Sequence, residues 1–363
     1  MSALRAIGWP FEGAPTDPAW QAALQAKPEA RPARVIEQHR TGYVVAETPG
    51  GGAMAESLPD WQRPKTPPQS RAAVGDWVLV EGVADAPRIV ALLPRWSAIK
   101  RGAAGEHYRQ QLIAANIDTV FVVCGLDADF NPRRIERYLL LIAGSGATPV
   151  VVLTKADRDG SDAVAAVAAL GEVQAQQVAV VALNAKDRAA VGAALGPYLG
   201  PGRTAVLVGS SGAGKSTLTN TLLGVERMKT AQVREHDARG RHTTTHRALI
   251  PLPSGACLID TPGMRELKPT GEEDVADSFA DVEALAHACR FRDCAHAAEP
   301  GCAVRAALQA GTLDPGRLAN YLKLRDEVAG AAGQLATRQA GKATTRVQAK
   351  APGKRADDKH GRR

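Results

Sequence analysis

The chain reads Gly209-Ser210-Ser211-Gly212-Ala213-Gly214-Lys215-Ser216 between an apolar run and a helical segment. The apolar run, Thr204 to Val208, predicts a buried strand. A glycine-rich loop in this setting fits the pattern G-x-x-x-x-G-K-[ST], in which backbone N–H groups surround the phosphates of a nucleotide. We expect Lys215 to contact the β- and γ-phosphates and Ser216 to bind Mg²⁺, with Thr217 beside them at the helix N-terminus. The loop alone does not choose between ATP and GTP.

A second pattern supplies that choice. Thr154-Lys155-Ala156-Asp157 follows the apolar run Pro149 to Leu153 and fits [NT]-K-x-D. An aspartate at this place accepts hydrogen bonds from the N1–H and 2-amino groups of guanine, and adenine offers no such donor pair. Asp157 therefore indicates GTP, and Lys155 is expected along the base. Asn184-Ala185, after the run Val178 to Leu183, occupies the place of the shorter base-contacting box.

The last nucleotide pattern is Asp260-Thr261-Pro262-Gly263, after the strand-like run Ala256 to Ile259. We expect Asp260 to hold Mg²⁺ through water and the Gly263 N–H to touch the γ-phosphate. The base boxes precede the phosphate loop here, and this box follows it. That order indicates a circularly permuted G domain, which preserves the sheet and the site. Alternating strand and helix patterns from about Asn116 predict a mostly parallel sheet with helices on both faces.

Four metal-binding side chains cluster near the C-terminal side: Cys289, Cys294, His296 and Cys302. Three thiolates and one imidazole within fourteen residues suit a closed tetrahedral Zn²⁺ site, so one structural zinc ion is predicted. His287 is placed outside this set. The other two cysteines, Cys124 and Cys257, lie in apolar runs and are interpreted as inert core residues.

Length and composition limit the possible class of protein and its number of domains. It has 363 residues, of which 45% are hydrophobic, enough for several domains. No apolar run approaches the roughly 18 residues of a membrane span, and no secretory signal is evident, so a cytoplasmic, membrane-free protein is expected. The net charge of +7 lies in the tail, where nine Lys or Arg after residue 335 face two Asp. This tail is either a solubilising terminus or a phosphate-attracting segment.

About five short strand patterns between Ala33 and Leu93 predict a small barrel, of a kind that often binds RNA. Its aromatic residues Tyr43, Trp61 and Trp77 are interpreted as core or rim residues sooner than as stacking platforms. The predicted organisation is an irregular extension (1–32), a barrel (33–97), a permuted G domain (98–268), a mainly helical zinc domain (269–332) and a basic disordered tail (333–363).

The box order, the string Gly240-Arg241-His242-Thr243-Thr244-Thr245 and the zinc spacing resemble the ribosome small subunit-dependent GTPase A family (RsgA, also called YjeQ). The resemblance covers roughly residues 34 to 330. It includes three further strings: Val74-Gly75-Asp76-Trp77-Val78, Ala115-Asn116-Ile117-Asp118 and Phe130-Asn131-Pro132-Arg133-Arg134. It implies an OB barrel, a permuted G domain and a zinc domain. It also implies late maturation of the small (30S) ribosomal subunit, with rRNA binding and slow GTP hydrolysis that the subunit stimulates.

Two departures concern the base boxes, since the family often has Asn in place of Thr154 and Ser in place of Asn184. Both could weaken nucleotide affinity, although neither removes Asp157.

Catalysis must rely on an unusual residue, because the position after D-x-x-G is Met264 in place of a water-orienting glutamine. His242, in the presumed first switch, is the candidate for orienting or deprotonating the attacking water. Thr244 is expected to complete the Mg²⁺ shell, and Lys215 to stabilise the transferred phosphate. The alternative for His242 is a solvent-facing residue in a loop.

Two other functions stay open at this stage. The chain could be an RNA-binding assembly protein that only senses GTP, or a P-loop ATPase, against which Asp157 argues. The expected partners are the small ribosomal subunit, its rRNA and GTP or GDP, with the chain a monomer.

Overall fold

The structure, a computed structural model, describes residues 2–39, 42–63, 66–102, 110–226, 247–260 and 268–350, the side chains of residues 2, 68 and 338–350 excepted. Its first domain is a five-stranded barrel of β1 (Arg31–Gln38), β2 (Tyr43–Ala46), β3 (Ala53–Ala55), β4 (Trp77–Glu81) and β5 (Arg88–Leu92). β1 pairs antiparallel with β2 and β4, and β3 and β5 flank them. A bridge between Glu56 and Arg88 closes the ring. The closed five-stranded order is that of an OB barrel, as predicted.

The barrel encloses its own aromatic core. Tyr43 and Trp61 are 7% and 6% exposed, and their rings meet edge to face at 5.5 Å. Trp61 lies on α3 (Pro59–Gln62), the short helix between β3 and β4. Trp77 is fully buried on the opposite side of β4. Because all three rings are buried, they are core residues rather than stacking platforms.

The prediction that residues 1–32 are irregular is wrong. They contain α1 (Ser2–Arg5) and α2 (Pro18–Gln25), and the Asp17 side chain caps the second helix. Trp9 is 2% exposed and contacts Trp20 and Trp77 edge to face at 5.3 and 4.8 Å. Sequence periodicity gives no sign of this packing, because single aromatic residues separated by Pro and Ala bury themselves against the outside of the barrel.

A buried arginine joins this segment and the barrel to the next domain. Arg34 on β1 is wholly buried, and all five of its N–H donors have an acceptor. They donate to the carbonyls of Ile7, Gly8, Gly75 and Asn116 and to Thr204 Oγ1, at 2.9–3.1 Å. Burial lowers the pKa of Arg34, which nearby acidic groups partly oppose. We call this arrangement the Arg34 junction.

The G domain is built on parallel strands. A hairpin of β6 (Ala98–Gly102) and β7 (Gln110–Ala115) leads into it. Its strands are β8 (Thr119–Gly125), β9 (Thr148–Thr154), β10 (Ala179–Ala182), β11 (Thr204–Val208), β12 (Ala248–Pro251) and β13 (Cys257–Asp260). The order β10-β9-β8-β11-β13 is parallel throughout. β12 is antiparallel to β13 and continues the sheet into β1 through one pair, Glu37 and Ala248.

Helices cover both faces of this sheet, as predicted. They are α4 (Pro132–Ile142), α5 (Ala163–Ala168), α6 (Gly171–Ala175), α7 (Arg188–Leu195) and α8 (Lys215–Leu223). Alternate β8 residues enter different cores: Val120 and Val122 pack with α4, and Phe121 and Val123 with α7 and α8. Asn131 caps α4 by accepting from the Arg134 N–H at 3.1 Å, and Pro132 opens the helix.

The C-terminal module is helical: α9 (Val275–Ser278), α10 (Ala280–His287), α11 (Ala303–Ala310) and α12 (Pro315–Lys350). Its core includes Phe279, Val282 and Leu324 and packs against Leu140 of α4. The predicted disorder of residues 333–363 is wrong as far as Lys350, because α12 continues to that residue. Ala, Gln, Lys and Arg are good helix formers, and extending an existing helix needs no new nucleus. In the described part of the chain, none of the helices combines the length and apolarity of a membrane span.

Candidate nucleotide site and metal centre

The predicted nucleotide boxes meet at one edge of the G-domain sheet. The phosphate loop follows β11, the Thr154 box begins at the last residue of β9, Asn184 follows β10 and Asp260 ends β13. These four strands are parallel, so their carboxyl ends open toward the same crevice. β8 separates β9 from β11 and therefore ends between the base box and the phosphate loop.

The phosphate loop has the backbone that its glycines predict. Gly209, Gly212 and Gly214 have φ of +143°, +82° and +93°. A Cβ on Gly209 would lie 2.1 Å from the Val123 carbonyl oxygen, so only glycine fits this approach. Lys215 begins α8, and its Nζ donates to the carbonyls of Gly209, at 2.8 Å, and Ser210. The lysine and the helix N-terminus thus converge on the loop, a suitable site for phosphate.

Thr154 links the base box to the phosphate loop. Its buried hydroxyl donates to the Ala213 carbonyl at 2.6 Å, and the Cys124 carbonyl lies 3.4 Å away. A Cβ on Gly214 would meet this hydroxyl at 2.9 Å, so loop and box are closely packed. The departure from Asn at this position thus supplies a short hydroxyl that binds the loop.

The other base-box residues lie at the open edge. Lys155 has φ of +63°, an uncommon conformation for a side-chain-bearing residue. Asp157 is exposed beyond it, and the Ala156 N–H donates to the Leu183 carbonyl at 3.4 Å. An exposed carboxylate at the mouth of the crevice can receive a base.

The second base box is also fixed to the loop helix. Asn184 Oδ1 accepts from the Lys186 N–H at 2.9 Å, which holds the turn after β10. The Ala185 carbonyl accepts from Thr221 Oγ1 of α8 at 2.6 Å. The structure therefore brings both base boxes against the phosphate loop and its helix.

The structure describes some of the residues that are predicted to bind Mg²⁺ or to catalyse hydrolysis. Ser216 lies in the first turn of α8, and Asp260 is half-buried at the end of β13, opposite Ala248. His242, Thr244 and Gly263 lie outside the described residues, so their predicted roles stay predictions.

Two site residues were missed by sequence reasoning, Asp127 and Asp129 in the connection from β8 to α4. Asp127 pairs with Lys155, and Asp129 accepts from the Ser210 hydroxyl. Burial alone would raise the pKa of Asp127, but the hydrogen bond and charge of Lys155 lower it below its usual value. Both aspartates lie within four residues of the end of β8, a strand that the sequence does predict. Their position at a strand end was the available signal.

The predicted zinc ligands form a compact set. The ligand atoms of Cys289, Cys294, His296 and Cys302 all lie within 4.8 Å of one another. The Cys289 and Cys302 sulfurs are 3.8 Å apart, and they lie 3.7 and 3.6 Å from His296 Nδ1. Tetrahedral zinc with bonds of about 2.3 Å to sulfur and about 2.0 Å to nitrogen requires separations of about 3.8 Å between two sulfurs and about 3.5 Å between sulfur and nitrogen. The donor set and the spacing of these three atoms therefore fit Zn²⁺, and the group of four ligands does not include His287.

The remaining cysteines match their interpretation as core residues. Cys124 and Cys257 are 3% and 0% exposed. Burial raises the pKa of both thiols, that of Cys257 to about 11. They are therefore protonated near neutral pH and poor nucleophiles.

The C-terminal module is attached to α4 by a buried ionic network. Glu136 of α4 is 7% exposed and accepts from Arg133, from Arg317 Nη1 at 3.1 Å and from Asn320 Nδ2 at 2.6 Å. Arg317 also pairs with Asp281 and lies 4.6 Å from the Phe279 ring. α4 of the G domain is thus joined to α12 and, through Arg317, to α10.

Comparison with known proteins identifies the family. A family model described as RsgA GTPase matches residues 92–270. The protein named small ribosomal subunit biogenesis GTPase RsgA of Xanthomonas campestris pv. campestris (strain B100) is 72% identical over 338 residues, covering 93% of this chain and 92% of the relative. The chain belongs to the RsgA GTPase family. The equally named protein of Xanthomonas oryzae pv. oryzae (strain PXO99A) matches with the same identity and coverage.

Solved structures support a circularly permuted GTPase fold for this chain. YloQ, described as a circularly permuted GTPase, aligns with a TM-score of 0.55 at 21% identity, over 82% of this chain and 95% of that one. YjeQ from Thermotoga maritima aligns with a TM-score of 0.58 at 24% identity, over 83% and 99%. The predicted permuted GTPase fold is confirmed.

The three strings that carried the RsgA resemblance without a chemical role lie at contacts between domains. Gly75 and Asn116 accept from Arg34 at the Arg34 junction. Asp76 is wholly buried beside them and binds Arg95 through two bonds of 2.6–2.7 Å. Arg133, in the third string, binds Asp314 of the C-terminal module. Residues of all three strings therefore take part in the contacts between neighbouring domains.

Proposed function

We propose that the chain binds and hydrolyses GTP in late maturation of the small ribosomal subunit, with that subunit and its rRNA as partner. One observation carries this proposal: the phosphate loop and the guanine box meet at one sheet edge, in a chain 72% identical to relatives named for small-subunit biogenesis. A ribosomal partner also implies a cytosolic location. The monomeric state stays a prediction.

We infer roles for the residues around the nucleotide. Lys215 neutralises the β- and γ-phosphates, and Asp157 binds guanine. Ser216 and Asp260 hold the Mg²⁺ that accompanies GTP, and this ion neutralises charge on the phosphates. Thr244 is proposed to complete the Mg²⁺ shell, and the Gly263 N–H to contact the γ-phosphate. His242 is proposed to orient the attacking water. The support for these three is the sequence pattern alone.

The assay that tests the function is GTP turnover, titrated with small subunits, large subunits and joined ribosomes. Stimulation by the small subunit and not by the large one is expected. Absence of hydrolysis under every condition would favour the sensor alternative. Equal affinity for ATP and GTP would reject guanine recognition by Asp157.

His242 has a separate test. His242→Ala is expected to lower turnover on the small subunit and leave the dissociation constant of GTP unchanged, because water orientation is needed only in the transition state. Unchanged turnover would remove His242 from the mechanism.

For the metal centre we propose one structural Zn²⁺, held by Cys289, Cys294, His296 and Cys302. Closed four-ligand sites of this kind stabilise small folds, and the thiolate of Cys302 additionally caps α11 by accepting from the Arg305 N–H at 3.4 Å. Elemental analysis should find one zinc per chain, and a chelator should unfold the C-terminal module before the G domain. A metal-free protein with the same unfolding profile would reject the proposal.

A further inference from the structure

The connection between β8 and α4 lies between the two halves of the nucleotide site. β8 is hydrogen-bonded to β9 on one side and β11 on the other, so its carboxyl end separates the base box from the phosphate loop. The Leu126 N–H donates to the Thr154 carbonyl at 2.8 Å and anchors the start of the connection. None of the nucleotide patterns includes this segment.

Asp127 fixes the segment to the base box. Its Oδ2 pairs with Lys155 Nζ and with Arg158 Nη1, the latter at 3.2 Å. Its Oδ1 accepts from the Asp129 N–H at 3.1 Å, and its carbonyl accepts from the Phe130 N–H at 2.9 Å. Asp129 is thereby held at a defined place relative to the guanine-binding residues.

Asp129 in turn contacts the phosphate loop. Its Oδ2 accepts a hydrogen bond from the Ser210 hydroxyl, the second residue of the loop. Its Oδ1 pairs with Arg134 Nη2 at 2.7 Å, and the same guanidinium donates to the Asp129 carbonyl. The two carboxylate oxygens thus join the loop to the first turn of α4. Because Arg134 compensates its charge, the carboxylate repels an incoming phosphate less than an unpaired one would.

We propose that Asp129 is a positioning residue for nucleotide binding, which holds the Ser210 side of the phosphate loop in the conformation that receives the phosphates. A loop ordered before binding loses less conformational entropy when the nucleotide arrives. This inference rests on the proposed function, since it requires that the site binds guanine nucleotide. It assigns a role to a residue that does not touch the nucleotide and acts through Ser210.

The test is a double-mutant cycle on the dissociation constant of a fluorescent GDP analogue. Asp129→Ala is expected to weaken binding about tenfold, the equivalent of one lost hydrogen bond of about 1.4 kcal/mol. Ser210→Ala should do the same, and the double variant should be no weaker than either single one, because both remove one contact. Asp129→Asn retains an oxygen acceptor for Ser210 and should bind within about threefold of wild type.

Steady-state kinetics supply a readout that a merely structural role would not move. Asp129→Ala should raise KM for GTP by the same factor as the dissociation constant and leave kcat unchanged, because ground state and transition state lose the contact equally. Asp85→Ala, an exposed turn residue of the barrel, is the matched control and should leave both constants at their wild-type values.

Several results would overturn the inference. Tighter binding by Asp129→Ala and Asp129→Asn would mean that the charge, not the hydrogen bond, governs affinity. Additive effects of Asp129→Ala and Ser210→Ala would mean that they act separately. If Asp129→Ala does not fold, wild-type affinity in Ser210→Ala overturns it alone. Wild-type protein that binds no guanine nucleotide would instead reject the proposed function.

Discussion

The nucleotide edge and the Arg34 junction lie at opposite ends of the same parallel strands. The nucleotide edge is formed at the carboxyl ends of β9 and β11, where Asp157 is exposed and Lys215 half-buried. The junction is formed at the amino ends, where Asn116 precedes β8 and Thr204 begins β11, and both are wholly buried. One end keeps polar groups available to a ligand, and the other satisfies them internally. The difference separates residues needed for binding from residues needed for stability, and substitutions at the two ends should therefore have opposite signatures.

The largest effect is expected from Arg34→Met. It leaves several buried carbonyls without a donor and should lower the free energy of unfolding by about 3–5 kcal/mol, measured by urea denaturation. GTP affinity of the folded fraction should not change. Arg88→Met is the matched control, because Arg88 is 60% exposed in a surface ion pair with Glu81, and its loss should have little effect on stability. A small effect of Arg34→Met would show that the junction is not a stabilising contact.

Lys215→Ala should show the opposite signature. Removing the ammonium group from the phosphate loop is expected to weaken GTP binding about 100-fold, or about 3 kcal/mol. The unfolding free energy of the nucleotide-free protein should change by less than about 1 kcal/mol, since the Lys215 side chain is half-buried and its ammonium group keeps access to water. Isothermal titration and urea denaturation measure the two quantities. Nearly wild-type affinity would contradict the assignment of the loop.

A matched Thr→Val pair sharpens the comparison. Thr154→Val removes the hydroxyl that joins the base box to the Ala213 carbonyl and should weaken GTP binding about tenfold. Thr204→Val removes an acceptor of Arg34 and should lower the unfolding free energy by about 1–2 kcal/mol with unchanged affinity. Both residues are wholly buried, so burial alone does not explain a difference. Equal losses of GTP affinity in the two variants would contradict the assignment of binding to one end of the strands and stability to the other.

The smallest effect concerns pH and the contact between α10 and α12. Burial would raise the pKa of Asp281, but the hydrogen bond and charge of Arg317 lower it below its ordinary value. The stabilisation is therefore complete above the unfolded pKa of about 3.9 and is lost as the pH falls through the lower, folded value. Asp281→Asn should destabilise by about 1 kcal/mol at pH 7, and the difference from wild type should shrink below about pH 4. Asp326→Asn, whose side chain is 73% exposed, is the matched control and should change the unfolding free energy little at pH 7.

The sequence predicts the nucleotide edge because its chemistry needs particular residue types at short, contiguous spacing. The same holds for the zinc ligands, which lie within fourteen residues. The Arg34 junction is different, since Arg34 and its acceptor Thr204 are 170 positions apart. In a strand pattern, a single arginine is expected to face solvent, and only the folded structure shows that Arg34 is buried. Asp129 is intermediate: its place after a predicted strand was visible, but its partner Ser210 was not.

The Arg34 junction also limits how this protein can be divided or recombined. A fragment that begins at residue 98 keeps Asn116 and Thr204 but lacks the guanidinium that they share. A chimera that takes its barrel from a distant relative must transfer the first ten residues with it, because Ile7 and Gly8 accept from the same side chain. Gly8 has φ of +91°, which strains any other residue, and a Cβ there would lie 2.1 Å from Arg34 Nη1 and displace the guanidinium. The barrel and the N-terminal segment are therefore one exchangeable unit.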